Sequence, residues 1–186
     1  KAFKCPEDQH QLMHFFRNVN NALPFEGNKT EVYTDGLSML QSLMKAISKA
    51  KHHIHLEFYI FEDDPVGRLL RDLLIDKARE GVEIRLLYDD VGCWKVPHLF
   101  YDEMRGAGIE ARGFLKVRFP VFTSKVNYRN HRKIVVIDGK VAFTGGMNIA
   151  LRYMKGFQWG IWRDTHIKIE GKLSLIHISE PTRHSL

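Results

Sequence analysis

Cysteine is scarce: Cys5 and Cys93 are the only two in 186 residues. They are too few for a disulfide framework and are not spaced as metal ligands, a usage that fits a reduced, cytosol-facing compartment. No uninterrupted apolar run approaches the roughly 18 residues that a membrane-crossing helix requires, and no signal peptide is recognisable. Methionine does not open the chain, which begins at Lys1, so a piece of a longer protein is expected. Internal repeats and low-complexity tracts are lacking as well. What the chain does have is apolar material, 44% hydrophobic and 11% aromatic residues. That is enough for the core of one domain, and it excludes a disordered tail or a collagenous fibre. Lys and Arg number 28 against 22 Asp and Glu, a net charge of +6. The excess favours anionic partners without choosing among nucleic acid, phospholipid and phosphometabolite.

Helix-like and strand-like patterns alternate along the chain. Residues 6 to 22 carry Leu12, Phe15, Phe16 and Val19 at helical spacing behind Pro6, which predicts an amphipathic helix. A short strand is expected over 29–33. Asp35 then reads as the N-cap of a helix bearing Leu37, Leu40, Leu43, Met44 and Ile47. From His52 to Phe61 apolar residues alternate with His53, His55, Glu57 and Tyr59, a half-buried strand. Pro65 opens a helix with Leu69, Leu70, Leu73, Leu74 and Ala78 on one face, stopped by Gly81. A strand over 82–88, a short helix over 97–106 and a strand over 167–169 complete the pattern. Asp138-Gly139 between Ile134–Ile137 and Val141–Phe143 predicts a β-hairpin. The fold class expected is α/β, a mixed β-sheet flanked by helices.

The chemistry concentrates in Asn130-His131-Arg132-Lys133 and the residues that follow. On an extended strand His131 and Lys133 project from the same face. An imidazole beside an ammonium suits attack on a phosphodiester: the ring nitrogen is the nucleophile, and the cation stabilises charge on the non-bridging oxygens. Beyond the hairpin, Gly145-Gly146 permits close backbone approach and Asn148 offers an amide donor, which together fit a phosphate-cradling turn. Taken singly each feature has a plain structural explanation: HxK as a solvated strand face, Asp138 as a turn residue, the glycines as a loop. The conjunction HxKxxxxD followed by GGxN is what carries the reading.

That conjunction resembles the phospholipase D superfamily. The resemblance extends from about Thr30 to Lys172, through Tyr33-Thr34-Asp35-Gly36, His55–Ile60, Gly81–Asp89 and Trp162–His166, stretches similar to the first catalytic half of bacterial cardiolipin synthases. It implies one lobe of a two-lobed fold, with residues 1–28 a connecting helix and 29–172 the first catalytic domain, truncated at its C-terminal end. It implies catalytic roles for His131, as nucleophile or acid/base partner, for Lys133 and, as a member of the signature, for Asp138. Lys133, Gly145, Gly146 and Asn148 would bind phosphate. Asp164 would orient the His131 ring and fix its tautomer, and Glu57 would line the cleft.

The activity implied is a phosphatidyltransferase that makes cardiolipin from two phosphatidylglycerols through a phosphohistidine. The alternatives are a superfamily phosphodiesterase or nuclease working as a homodimer, or a non-catalytic binding remnant. No cofactor and no metal are expected. The partners expected are an anionic phospholipid (phosphatidylglycerol), a membrane surface, and a second HxKxxxxD half in the same chain or in a homodimer; nucleic acid is not expected. The location implied is the bacterial cell membrane, with the catalytic domain facing the cytoplasm. Family members pair two HxKxxxxD motifs, whereas this chain has one. His166-Ile167-Lys168 imitates the motif, but Leu173 stands where Asp should. The 186 residues alone are therefore expected to be inactive.

His53, His55 and Glu57 share a strand face that could meet a metal or simply line the cleft, while Asp89-Asp90 reads as a cap on a strand end and Cys93 as an inert thiol. From 111 to 133 there are seven basic residues, no acid and interleaved aromatics, a pattern expected to face membrane headgroups. Residues 173–186 resemble the translated read-through of a sequencing-library adaptor and are expected to be a non-native tail.

Overall fold

A computed structural model describes residues 10–20, 27–116, 129–156, 160 and 162–171. The strands are β1 (Lys29–Tyr33), β2 (His53–Phe58), β3 (Glu83–Asp89), β4 (Glu110–Phe114), β5 (Ile134–Ile137), β6 (Val141–Gly145) and β7 (His166–Glu170). The helices are α1 (His10–Asn20), α2 (Gly36–Ser48), α3 (Pro65–Arg79), α4 (His98–Gly106) and α5 (Leu151–Lys155). All seven strands form one mixed sheet in the order β1-β7-β6-β5-β2-β3-β4. Helices α3 and α4 are the crossovers of two parallel units, β2-α3-β3 and β3-α4-β4. The other half of the sheet, β5 through β7 and β1, is antiparallel. The mixed α/β architecture expected from the alternating patterns is the one observed.

Local chemistry accounts for the elements. The Asp35 carboxylate caps α2 by accepting from Ser38 N at 2.8 Å, and Asp64 caps α3 by accepting from Val66 N and Gly67 N, both at 2.9 Å. One sheet face is apolar because register aligns Ile54 with Ile84 and Ile137, and Leu56 with Leu86 and Val135. Met39, Leu40, Leu43 and Ile47 of α2 and Leu70 and Leu74 of α3 belong to the same buried core. Each such aliphatic side chain contributes about 1.5–3 kcal/mol by leaving water.

Several expectations are corrected. Leu37 and Leu69 are exposed rather than packed. The buried stripes run through Gly36, Leu40, Leu43 and Ile47, and through Val66, Leu70, Leu74 and Lys77, and one residue along a helix turns the side chain about 100° away from such a stripe. Strand β4 was not anticipated, since Glu110, Arg112 and Gly113 mask an apolar alternation at the sheet edge. Helix α1 forms as expected within 6–22, but Leu12, Phe15, Phe16 and Val19 stand exposed on it; Pro6 lies outside the described residues. Most of the basic-aromatic segment, 117–128, and the adaptor-like tail lie outside them too. Among the described residues no helix is long and apolar enough to cross a membrane.

Candidate active site

Buried acids build the entry to the site. Asp89, at the end of β3, is 1% exposed, and its Oδ1 accepts from Val91 N at 2.9 Å and Gly92 N at 3.0 Å. The strand-end cap expected of Asp89 is thus in place. Its Oδ2 accepts from Asn130 N at 3.1 Å, and its Oδ1 lies 3.7 Å from Arg129 Nη1. Glu57 on β2, 5% exposed, accepts from the Asn130 side-chain amide. Glu57 thus acts one residue away from the motif histidine, by holding Asn130. A carboxylate with several N–H donors is a strong anchor in a place closed to water.

From this anchor the chain runs through His131, Arg132 and Lys133 into β5, so the pair precedes the strand rather than lying within it. The shared orientation expected of the two side chains is visible at Tyr59. The His131 ring lies 4.7 Å from the Tyr59 ring, centroid to centroid, and Lys133 Nζ lies 5.4 Å from the same centroid. His131 is exposed and Lys133 is buried. Lys133 Nζ donates to the His131 carbonyl. Burial pushes the Lys133 ammonium down to about 8, and only Asp164 pulls it back upward. The arrangement is a solvent-facing imidazole backed by a cation that is poorly solvated and short of acceptors, which is what an incoming phosphate would relieve.

Strands β6 and β7 complete the cluster. Register pairs Gly145 with His166, and Gly146 N donates to Thr165 O at 2.9 Å. A Cβ at Gly145 would overlap Thr165 and His166, with His166 Nδ1 only 2.8 Å away, and one at Gly146 would overlap the Asp164 carboxylate. The close approach these glycines permit is therefore by the 164–166 segment, and this packing alone is sufficient reason for their identity. His166 is 1% exposed and its Nδ1 has no hydrogen-bond partner. Burial holds its ring near 4, with Asp164 raising it and Lys133 lowering it, so it is neutral at physiological pH.

Three expected roles change on this geometry. Asp164 was expected to hold the His131 ring, but its electrostatic neighbours are Lys133 and His166, and its Oδ1 accepts from Thr165 N at 2.7 Å. Among the described residues no hydrogen bond joins it to His131. Asp138 is not brought to the cluster: it lies at the far end of β5, where its carboxylate accepts from Lys51 N, His52 N and His53 N at 2.8–2.9 Å. Those bonds hold its pKa below the ordinary carboxylate value despite the opposing effect of burial. They tie the β5–β6 turn to the start of β2, and a catalytic part for Asp138 has no geometry behind it. Asn148 is near the site but committed, with Oδ1 accepting from Ile60 N at 3.0 Å and Nδ2 donating to Tyr153 Oη at 2.7 Å. One amide hydrogen remains for a phosphate.

Tyr59 and His166 were not anticipated as site residues. Tyr59, expected on the face of His53, His55 and Glu57, lies one residue past the end of β2 and packs against His131, next to the Asn130 that Glu57 holds. The His53 and His55 rings lie 5.0 Å apart, tilted by 40°, and among the described residues no group of three or more His, Cys, Asp or Glu is placed to hold a metal. Burial raises the Cys93 thiol, and its sulfur accepts from Phe61 N at 3.3 Å, an inert setting.

The fold is that of a single phospholipase D lobe. It matches the phospholipase D family member Nuc from Salmonella typhimurium with a TM-score of 0.58 and 19% identity, over 80% of this chain and 88% of that one. NucT from Helicobacter pylori matches with a TM-score of 0.62 and 15% identity, over 86% of this chain and 96% of that one. Within that class the sequence is more specific. Residues 43–158 match the family model described as cardiolipin synthase, PLD-like domain, and the chain belongs to that family. A cardiolipin synthase of Alkalihalophilus pseudofirmus is 47% identical over 146 residues, 78% of this chain and 29% of the relative. The chain thus spans about a third of the length of the curated relatives it matches.

Proposed function

We propose that residues 29–172 are one catalytic half of a phosphatidyltransferase that joins two phosphatidylglycerols into cardiolipin and releases glycerol. The observation that carries the reading is the His131–Tyr59–Lys133 cluster: an exposed imidazole beside a buried cation with a depressed pKa, in a chain of the cardiolipin synthase family. The neutral His131 ring attacks phosphorus, forming an N–P bond as the bond to the glycerol oxygen breaks. Lys133 and the remaining amide hydrogen of Asn148 receive charge on the non-bridging oxygens. A second motif, in another part of the protein or in a partner copy, supplies the histidine that protonates the departing glycerol. The same histidine then takes the proton from the hydroxyl of the second phosphatidylglycerol as that oxygen displaces His131. No step calls for a cofactor. The substrate puts the reaction at the surface of a bacterial membrane, and the sparse cysteine favours its cytoplasmic side.

Within this scheme Asp164 and His166 act on Lys133 rather than on His131. The carboxylate favours the ammonium form, and the neutral ring occupies the space beside it without adding charge. The test is full-length enzyme with His131→Ala, assayed on phosphatidylglycerol vesicles. Loss of cardiolipin formation by three orders of magnitude or more, with folding unchanged, is the expected result. Retained turnover would overturn the assignment.

A further inference from the structure

At the opposite end of β5 from His131, a cavity of about 470 Å³ is lined by basic side chains from four separate parts of the fold. Lys45 and Lys49 come from the end of α2 and the residue after it, Lys51 and His52 from the start of β2, Lys140 from the β5–β6 turn and Lys168 from β7. Lys168 is paired with Glu170 at 2.5 Å. The other acid of the cavity, Asp138, is committed to three backbone N–H groups. Among the described residues, Lys45, Lys49, Lys51 and Lys140 make no ion pair within bonding distance. Four exposed lysines therefore converge with two carboxylates among them: Asp138 bonded to the backbone, and Glu170 paired with Lys168 and also drawn on by Lys49.

Like charges held this close repel one another, and surface lysines ordinarily have room to spread over a helix or strand face. Lys45 and Lys49 gain from the α2 C-terminus. Lys51 and Lys140 gain nothing from it, yet the Asp138 bonds fix the backbone of one beside the hairpin turn that carries the other. A concave site with five lysines against two carboxylates suits a ligand with two or more phosphate charges. The site lies roughly 16 Å from Lys133, the five-residue advance along β5 at ~3.3 Å each, so it is separate from the catalytic cluster.

We propose that this cavity is a second anion site, which takes a multiply charged phosphate group independently of the chemistry at His131. The charge comes either from a soluble diphosphate or from anionic headgroups. The probe for the first is inorganic pyrophosphate, titrated calorimetrically into the 186-residue chain carrying Lys133→Gln to silence the catalytic cation. The second arm uses phosphatidylglycerol vesicles, with phosphatidylcholine vesicles as control. Adding Lys49→Gln and Lys140→Gln should weaken pyrophosphate or vesicle binding about thirty-fold, at about five-fold per lysine removed. The same pair in the chain with Lys133 intact gives a second comparison that does not depend on the buried substitution. Loss in the pyrophosphate arm alone identifies a soluble ligand, and loss in the vesicle arm identifies headgroups. Absence of binding in both arms, or binding that survives removal of Lys49 and Lys140, overturns the proposal. Neither result bears on catalysis at His131.

Discussion

Lys133 illustrates how a single buried charge is put to use. Its ammonium is pushed down to about 8 by burial and pulled upward by Asp164. Folding thus disfavours the protonated form, and stability gained from this residue grows as pH rises from about 8 toward 10.5, the range in which only the unfolded chain holds the proton. Activity should run the other way, because in the proposed reaction the cation stabilises the phosphate. We expect the basic limb of kcat/KM in the full-length enzyme near pH 8, the limb that reports the free enzyme. Asp164→Asn removes the upward pull and should move that limb to lower pH. A limb near 10 in the native enzyme, or one indifferent to Asp164→Asn, would show that Lys133 is not the titrating group.

Asp138 belongs to the same scale and has the opposite kind of role. Its positive φ of 52° suits a tight turn that Asn can also adopt, and its carboxylate satisfies three backbone donors. Asp138→Asn should cost about 1–2 kcal/mol, and Asp138→Ala about 3 kcal/mol, because donors lose their charged acceptor and the turn loses its preferred residue. Urea unfolding measures both. Turnover per folded molecule of Asp138→Asn should stay within a few-fold of the native value, since the residue does not reach the cluster.

Among the elements, the antiparallel half of the sheet was partly legible and partly not. The Asp138-Gly139 hairpin follows from local turn chemistry, and strands β2 and β3 from alternation and apolar content. That His131 and Lys133 both reach Tyr59 agrees with the same-face spacing expected from the sequence. The position of Asp164 and His166 is not legible there, because it depends on β7 pairing with β6 some twenty residues earlier, and only that register sets His166 against Gly145. The same non-local contact explains Gly146, whose identity looked like phosphate binding when only the loop was considered. Tyr59 was read only as part of the polar face of β2, because alternation tells which way a side chain points and not that the 130–131 segment lies against it. Gly146→Ala tests the packing: a methyl group there meets the Asp164 carboxylate. The variant should displace Asp164, lower kcat at least tenfold and shift the Lys133 limb as Asp164→Asn does. A variant with normal kcat would mean that the 164–166 segment does not need to lie so close.

At the scale of the whole molecule, the chain presents one lobe and one HxKxxxxD motif, while its relatives are about three times as long. In the proposed reaction a buried cation, an exposed imidazole and a partly committed amide serve as half of a phosphoryl-transfer site, and the proton chemistry is assigned to a second histidine outside these residues. The central claim is that the covalent bond to phosphorus forms on His131. Full-length enzyme should be incubated briefly with phosphatidylglycerol labelled at phosphorus, quenched in base and mapped by peptide. The account predicts an acid-labile, base-stable label on the peptide containing His131, lost in His131→Ala. Label that is stable in acid, or that resides on a peptide without His131, would contradict it.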